Sequence, residues 1–316
     1  MSPASMSLKS FTPTRLALRT IAALAFAAGI CALAAAQSAP AAPATPAAAA
    51  PATLPPMNGI AHIAIRVKDI AVSLDFYHKL GFGQAFANMA KDGTTVTQSF
   101  VKINDRQFIE LYPMSARDTQ PAFLHLCFEG ADLNALHDYY VAEGLAPISV
   151  RTAGAGNLLF TMKGPQQFAD PQNIEYTQYM PGSRHTLDIG QHLGPDRVGD
   201  KMTVVALAMQ DPAAALLFYL DKLGFTQSRL HPGRLDLPGA SGQQVELVPV
   251  ADLGARSSII LTTPDLAKSA AQLKRQGVAF QQASSSYTDA KGKTIQIDMI
   301  SVTDPDGNIL RIQAAH

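Results

Sequence analysis

Apolar and polar residues alternate from Ile60 to Val67, and the segment that follows changes to a helical spacing of apolar residues. Alternation with a period of two is typical of a half-buried strand, whereas apolar residues three or four positions apart are typical of an amphipathic helix. Asp69 stands before the helical segment as a favourable N-cap, and Gly81 follows it where a left-handed residue commonly ends a helix. The pattern therefore predicts a strand followed by a helix.

The helical segment recurs along the chain. The stretch DIAVSLDFYHKLGF (69–82) returns as DPAAALLFYLDKLGF (211–225), and DLNALHDYYVAEGL (132–145) returns as DLAKSAAQLKRQGV (265–278). Short alternating runs surround each copy, so each copy predicts one βαβββ unit. The predicted fold class is α+β, with four βαβββ modules paired into two domains over 57–182 and 201–316 and a connecting loop over 183–200.

Three short motifs carry a resemblance to a known family. They are His-x-x-x-Arg-Val-x-Asp from His62, Ser-x-x-Phe-Tyr from Ser73 and Leu-Gly-Phe from Leu80. This pattern resembles the vicinal oxygen chelate superfamily, which includes glyoxalase I, extradiol dioxygenases, fosfomycin-resistance proteins and methylmalonyl-CoA epimerase. The resemblance covers residues 57–316 and implies glyoxalase/dioxygenase-like domains. In such domains the sheets of paired modules curl around a cleft that holds a divalent metal when the ligands are present.

Four potential metal ligands lie in predicted strands, each on the face opposite an apolar row. They are His62, Glu110, His125 and Glu175. Two glutamates that face each other in a partly buried cleft would repel, and a divalent cation removes that cost. The positions also match the His-Glu-His-Glu set of glyoxalase I-like members. We therefore expect one divalent metal ion, for which the mixed nitrogen and oxygen ligands leave Zn, Ni, Co, Mn and Fe open. Alternation also places Ile60 and Ala64 on the face of His62.

The resemblance implies a reaction type. A metal that chelates two neighbouring substrate oxygens acidifies an adjacent C–H and stabilises the enediolate or enolate. Glu175 or Glu110 would then serve both as ligand and as the catalytic base. Arg66 resembles the arginine that meets the substrate carboxylate in glyoxalase I, and a solvated strand-end arginine is the alternative interpretation. The resulting hypothesis is a glyoxalase- or epimerase-like lyase or isomerase that acts on a small oxygenated substrate.

Two other function classes stay open. An extradiol-type dioxygenase would use two histidines and one glutamate on iron, and a non-catalytic protein would hold a small molecule between its lobes. Glu110 is followed by Leu-Tyr-Pro-Met, without the asparagine that glyoxalase I carries after its matching glutamate. Metal content separates the binding protein from the enzymes, and oxygen uptake with catechols separates a dioxygenase from a lyase.

The second pair of modules does not repeat the ligand set and is predicted to be a degenerate domain. Counting from the helix N-caps, Val204 and Ser258 replace His62 and His125. Arg311 or Leu310 replaces Glu175, and Glu246 is the one ligand type that is kept. We expect this domain to be metal-free, with a structural role or an organic ligand.

The connecting loop carries two further histidines. His185 and His192 lie outside the predicted strands and helices. Histidines in such loops are mostly solvated, so both are expected to be exposed surface residues.

The N-terminal residues have the composition of a targeting segment. Lys9, Arg15 and Arg19 precede an apolar, alanine-rich run from Thr20 to Ala36. This order predicts a secretory signal peptide over residues 1–37, with an uncleaved membrane anchor as the alternative. An Ala/Pro-rich linker follows over 38–56, where the composition favours a semi-extended tether.

Export and net charge limit the kinds of partner that the protein is expected to have. Cleavage removes Cys31 and leaves Cys127 without an intrachain disulfide partner, and it also removes three of the 25 basic residues and none of the 25 acidic ones. The charge that remains gives no reason to expect nucleic acid or an anionic membrane as a partner. We expect a periplasmic or secreted protein, monomeric or homodimeric, that binds a small-molecule substrate.

The mature chain is expected to begin near Gln37 or Ser38, because the basic, apolar and small-residue regions occur in the order of a signal peptide. N-terminal sequencing of exported material measures this directly. An intact Met1 on a membrane-embedded product would contradict it.

Overall fold

The computed structural model describes residues 53–231, 233–239, 241–288 and 292–315. The predicted signal peptide over 1–37 and the predicted linker up to residue 52 lie outside the described residues. Within the described part of the chain, no helix combines the length and apolar character needed to cross a bilayer.

The first domain is built from two successive modules and a short following helix. Its elements are β1 (Met57–Val67), α1 (Ile70–Lys79), β2 (Gln84–Met89), β3 (Val96–Asn104), β4 (Gln107–Pro113), β5 (Ala122–Gly130), α2 (Leu133–Ala142), β6 (Arg151–Thr152), β7 (Leu158–Gln166), β8 (Pro171–Gln178) and α3 (Arg184–Leu187). Asp69 caps α1, because its carboxylate accepts hydrogen bonds from the backbone N–H groups of Ala71 and Val72. Asp132 caps α2 in the same way.

The second domain repeats the two modules and has a short additional helix between them. Its elements are β9 (Lys201–Met209), α4 (Pro212–Asp221), β10 (Thr226–Gln227), β11 (Arg234–Asp236), β12 (Gln244–Pro249), α5 (Val250–Leu253), β13 (Ser258–Thr263), α6 (Leu266–Arg275), β14 (Gln281–Thr288), β15 (Thr294–Thr303) and β16 (Ile309–Ala314). Asp211 and Asp265 cap α4 and α6. The predicted aspartate N-caps are therefore confirmed in all four module helices.

Each domain forms one mixed sheet of 8 strands. The strand order is β2-β3-β4-β1-β5-β8-β7-β6 in the first domain and β10-β11-β12-β9-β13-β16-β15-β14 in the second. The two modules of the first domain meet where β1 pairs antiparallel with β5, and β4 and β8 flank this pair in parallel. The predicted α+β fold with four βαβββ modules in two domains is confirmed.

The predicted alternation fails near the start of β1. The pairing of β1 with β5 shifts register between Ile60 and His62. Because of this irregularity, Ile60 belongs to the large apolar core, whereas Ala61 belongs to the smaller cluster with Phe108 and Cys127. The expectation that Ile60 shares a face with His62 is therefore wrong, and a bulge of this kind inserts a residue that a strict period of two does not foresee.

The segment predicted as a connecting loop is packed against the first domain. Lys102 on β3 is fully buried, and its ammonium lies 2.8 Å from Oδ2 of Asp188 and 2.8 Å from Oδ1 of Asp105. Asp188 also lies 2.6 Å from Nδ1 of His192 through its other carboxylate oxygen. A buried ammonium is tolerated only where it is paired, so the Asp188 contact fixes this segment to β3.

Two glutamines at corresponding positions join the first strands of the two domains. Gln107 accepts a hydrogen bond from the Met202 N–H at 2.8 Å and donates to the Met202 carbonyl at 2.9 Å. Gln243 accepts from the Ile60 N–H at 2.6 Å and donates to the Met202 carbonyl at 2.9 Å. Gly59 makes this approach possible, because a Cβ there would lie 2.1 Å from Oε1 of Gln243.

The repeated Phe-Tyr motif of the helices explains a second link between the domains. Tyr77 on α1 donates a hydrogen bond to Oδ2 of Asp304, 3.1 Å away in the turn before β16. Tyr219, its counterpart on α4, lies 2.7 Å from Nε2 of Gln172 at the start of β8. Both helices therefore contact the opposite domain, and one apolar core contains residues of both.

Replacing Gln107 with alanine is expected to lower the free energy of unfolding by about 1–3 kcal/mol, because the Met202 N–H and carbonyl lose buried partners. Urea unfolding of the full chain measures this change. The matched control is Gln282→Ala on the exposed strand β14, which is expected to stay within about 0.5 kcal/mol. Equal midpoints for the two variants would contradict the prediction.

Candidate metal centre

Four adjacent strands bring the predicted ligands together. The central strand order is β4-β1-β5-β8, and the ligands are Glu110 on β4, His62 on β1, His125 on β5 and Glu175 on β8. Ala64 pairs with Glu110 on one side and with His125 on the other. Cys127 pairs with His62 on one side and with Glu175 on the other. The four side chains thus occupy two neighbouring rows on one face of the sheet.

The donor atoms of this cluster surround a common point. Nε2 of His62 lies 3.1 Å from Nε2 of His125, 3.4 Å from Oε1 of Glu110 and 3.3 Å from Oε1 of Glu175. Nε2 of His125 lies 3.9 Å from a carboxylate oxygen of each glutamate. All four residues are less than 9% exposed. The sheet therefore holds two imidazoles and two carboxylates in mutual contact away from bulk water.

Burial and mutual charge shift the pKa values of these groups in different directions. Burial raises the pKa of Glu110 to about 7, although His62 opposes the shift. Burial also acts to raise the pKa of Glu175, but His125 and His62 together lower it to about 2. Burial lowers the pKa of His125 to about 4, whereas Glu110 and Glu175 raise the pKa of His62 despite its burial. Glu110 therefore takes up a proton much more readily than Glu175 does, because two neighbouring buried carboxylates separate in pKa.

The residues present fit a divalent metal ion. Donor atoms about 2.0–2.2 Å from one ion lie roughly 3.0–3.5 Å apart at tetrahedral or octahedral angles. The three distances from Nε2 of His62 fall in this range. Nδ1 of His62 has no hydrogen-bond partner among the described residues, although ligating histidines usually donate from the second nitrogen. The donor chemistry fits a first-row divalent metal, although no described residue bonds the second ring nitrogen of His62.

Two side chains that the sequence analysis missed hold Glu110 in place. Gln98 donates to Oε2 of Glu110 at 2.6 Å, and the Tyr112 hydroxyl donates to the same oxygen at 3.2 Å. Burial raises the pKa of Tyr112, so the hydroxyl stays protonated and can donate. Alternation places Gln98 on the face of Phe100, but the pairing of Phe100 with Glu110 across β3 and β4 is known only from the structure.

Cys127 is a further donor that the sequence analysis considered only for disulfide bonding. Ligand atoms of His62, Cys127 and Glu175 all lie within 4.8 Å of one another. The side chain is fully buried, and burial raises the pKa of its thiol. Cys127 stands two residues after His125 on the same strand, so alternation alone could have placed it in the cluster.

His185 is buried, so the expectation that it is a solvated surface residue is wrong. Its ring stacks on Tyr179 with centroids 4.6 Å apart and meets Phe108 edge-on at 4.9 Å. Burial lowers the pKa of His185 to about 3, and neither ring nitrogen has a partner within the described structure. The packing of α3 against the first domain carries this side chain inward, which composition could not predict. The side chain of His192, by contrast, is 44% exposed.

A cavity of about 890 Å³ lies beside the cluster and is lined by His125 and Tyr112. Arg66 also lines it, donating to Oδ1 of Asp118 at 2.9 Å and to the Gln120 carbonyl at 3.2 Å. The predicted substrate-binding arginine therefore shares this cavity with the candidate ligand His125, and its guanidinium is bonded to Asp118 and Gln120.

Strand register identifies the corresponding positions in the second domain. Ala206 pairs with Glu246 and Ser258 as Ala64 pairs with Glu110 and His125. Val204 takes the place of His62, because it pairs with Ile260 as His62 pairs with Cys127. Ile260 in turn pairs with Arg311, which stands where Glu175 stands in the first domain. Of the two residues considered for this place, Arg311 rather than Leu310 is correct.

Comparison with known proteins supports the family resemblance of the chain. The model of the Glyoxalase/Bleomycin resistance protein/Dioxygenase superfamily matches residues 59–176 and 201–312. A search of curated proteins gives no match.

Solved structures of this type share the fold at low sequence identity. A Mn(II)-bound glyoxalase from Novosphingobium aromaticivorans has 14% identity and a TM-score of 0.61, and the match covers 83% of each chain. A variant of homoprotocatechuate 2,3-dioxygenase from B. fuscum has 14% identity and a TM-score of 0.59, covering 84% of this chain and 73% of that one. The 2,3-dioxygenase LapB from Pseudomonas sp. KL28 has 13% identity and a TM-score of 0.58, covering 83% and 94%.

These likenesses concern the fold alone, whereas the family model covers both domains of the chain. The motifs, the duplicated modules and the sheet order agree with it. The chain therefore belongs to the glyoxalase/bleomycin resistance protein/dioxygenase superfamily, as the resemblance of its motifs had indicated.

Proposed function

We propose that this protein is a metal-dependent lyase or isomerase of the glyoxalase or epimerase type that acts on a small oxygenated substrate. The observation that carries the proposal is the buried convergence of two imidazoles and two carboxylates beside an open cavity. Such a group of donors is costly to bury without a cation, because like charges face each other in a medium of low dielectric constant.

The residues proposed to hold the ion are His62, Glu110, His125 and Glu175. When bound, a divalent ion polarises neighbouring substrate oxygens and makes the adjacent C–H more acidic. Mixed nitrogen and oxygen ligation is compatible with Zn, Ni, Co, Mn or Fe. The Mn(II) named for the Novosphingobium aromaticivorans glyoxalase makes manganese the first ion to test.

The two glutamates are proposed to have different roles. Glu110 is fixed by hydrogen bonds from Gln98 and Tyr112 to one of its oxygens, which suits a constant ligand. Glu175 contacts the two histidines and the weakly donating Cys127 thiol, and it receives no amide or phenol bond among the described side chains. A carboxylate that is less restrained can move a proton between neighbouring carbon positions. Glu175 is therefore the first candidate for the catalytic base, with Glu110 as the alternative.

The surroundings of the centre favour access from one side. His125 and Tyr112 face the cavity, so substrate would arrive there, with Arg66 on the rim as the proposed contact for an anionic group. On the other side, the rings of three buried residues pack against one another, namely His185, Tyr179 and Phe108. This aromatic group excludes water from its side of the sheet, which strengthens electrostatic interactions within the site.

An extradiol-type dioxygenase is the second candidate, because two of the similar solved structures are 2,3-dioxygenases. Two histidines and one carboxylate with open positions suit non-haem iron. The fourth donor, Glu110, argues for the first proposal because it occupies a position that such an oxygenase leaves open. Oxygen consumption with catechols by the iron-loaded protein would favour the dioxygenase.

We also propose that the protein is exported after cleavage near residue 37 and acts in the periplasm or outside the cell, as a monomer or homodimer. The order of basic, apolar and small residues at the N-terminus supports export. The proposed ligand is a small molecule, because the cleft beside the centre has the size of a small-molecule site.

Purified full-length mature protein is expected to contain about one divalent metal ion per chain, and His125→Ala is expected to lose it. Removal of a ligand is expected to lower the metal affinity by more than the roughly 10–100-fold loss that follows removal of an outer contact. Elemental analysis after dialysis against a weak chelator measures this. His78→Ala, an exposed histidine at the end of α1, is the matched control.

Metal retained in full by His125→Ala and by His62→Ala would contradict the proposed centre. About two ions per chain in the wild type would contradict the expectation that the second domain is metal-free, since Val204 and Ser258 offer no imidazole there.

Glu175→Gln is expected to reduce proton abstraction by roughly 10²-fold or more, because the amide has lost the basicity of the carboxylate. Metal affinity should fall only moderately, since an oxygen donor is kept. Solvent deuterium exchange into hydroxyketones and 2-oxoaldehyde adducts, followed by NMR with metal-loaded protein, measures the rate.

Glu110→Gln serves as the paired variant for this test. Unchanged exchange in metal-loaded Glu175→Gln, together with its loss in Glu110→Gln, would move the base to Glu110. No exchange by the wild type with any of these compounds would contradict the lyase or isomerase proposal.

A further inference from the structure

The second domain carries two arginines where the first domain carries a ligand and an aromatic residue. Arg311 stands at the position of Glu175. Arg234 pairs with Glu246 on β11 and β12 as Phe100 pairs with Glu110 on β3 and β4. The first domain thus carries a candidate metal ligand and an aromatic residue at these two positions. The second domain carries two positively charged guanidinium groups there.

Among the described residues, the two guanidinium groups share one ion pair with a carboxylate. Nε of Arg234 lies 3.6 Å from Oε2 of Glu246, and Nη1 of Arg311 donates to the uncharged Ser258 hydroxyl at 3.0 Å. In the described part of this domain, the carboxylate of Glu246 is thus the ion-pair partner available to two positive charges. Burial lowers the pKa of Arg234, and Arg311 acts in the same direction while Glu246 opposes both. The local surplus of positive charge is unfavourable unless an anion joins it.

A cavity of about 910 Å³ opens on the same face of this sheet. Arg234 and Val204 line it, as does Gln313, which lies two residues after Arg311 on β16. Arg229 and Lys201 add positive charge to its wall, and the carboxylate of Asp236 accepts a hydrogen bond from Gln244 at 2.6 Å. Positively charged and amide groups thus dominate the polar lining.

We propose that the cleft of the second domain binds a small oxyanion, a carboxylate or a phosphate, between Arg311 and Arg234. Planar guanidinium groups match the paired oxygens of both anions and form charge-assisted hydrogen bonds with them. In the first domain, the proposed cation would balance negatively charged side chains. In the second domain, the proposed anion would balance positively charged side chains. This site needs no metal and extends beyond the function proposed for the first domain.

Calorimetric titration of the full mature chain tests the proposal. The probes are inorganic phosphate, succinate and the uncharged succinamide, at low ionic strength and after removal of metal by chelation. At least one anion is expected to bind saturably with a stoichiometry of about one, and succinamide is not. Comparison of phosphate with succinate distinguishes a phosphate-bearing from a carboxylate-bearing ligand.

The variants Arg311→Gln and Arg234→Gln are each expected to weaken anion binding by about 10-fold or more, the scale of a lost charge-assisted hydrogen bond. Arg151→Gln removes the same charge from the exposed strand β6 and is expected to bind as the wild type does. Arg311→Lys keeps the charge without the planar fork and should give intermediate affinity. Circular dichroism confirms that each variant is folded before titration.

Three results would overturn the inference. The first is the absence of saturable binding for both anions, and the second is an equal loss with Arg151→Gln, which indicates general surface attraction. The third is binding that occurs only after metal is restored, because the anion then belongs to the first-domain centre. None of these results affects the test of deuterium exchange, so the two proposals fail independently.

Discussion

The register between β1 and its neighbours is the constraint on which the candidate metal centre depends. Ala64 lies directly between Glu110 and His125, so the four donors meet only while β1 keeps its alignment with β4 and β5. A slip of one residue would turn His62 into the apolar core. The alignment is secured at the start of the strand, where Gln107 donates to the Ile60 carbonyl as well as bonding Met202. The bulge after Ile60 then sets which residues face the cleft.

Local sequence patterns were sufficient to predict the modules and the positions of the four donors. Helix caps such as Asp69 and the alternation around Glu110 are encoded within a few residues, so they can be read without knowledge of tertiary contacts. The duplicated Phe-Tyr and Leu-Gly-Phe motifs then indicated the pairing of modules. Family membership followed from the same motifs.

The residues that were missed depend on contacts between distant segments. Gln98 reaches Glu110 from a neighbouring strand, and His185 is buried because the segment after β8 folds back over the first domain. Lys102 is buried because Asp188, which follows it by 86 positions, supplies a partner for its ammonium group. Such pairings have no signature in composition or periodicity. The same holds for the bulge at Ile60, which no run of alternating residues announces.

The interlocking of the two domains has a consequence for dynamics. Tyr77 and Tyr219 bond across to the opposite domain, and both domains contribute to one core. A hinge motion that separated the domains would break these contacts together, so we expect the cleft not to open in that way. Small molecules would then enter and leave through movements of shorter segments at the mouth of the cavity, such as the exposed turn around Asp118. Loop fluctuations on the nanosecond to microsecond timescale, rather than slower domain motion, would set how often the centre meets solvent.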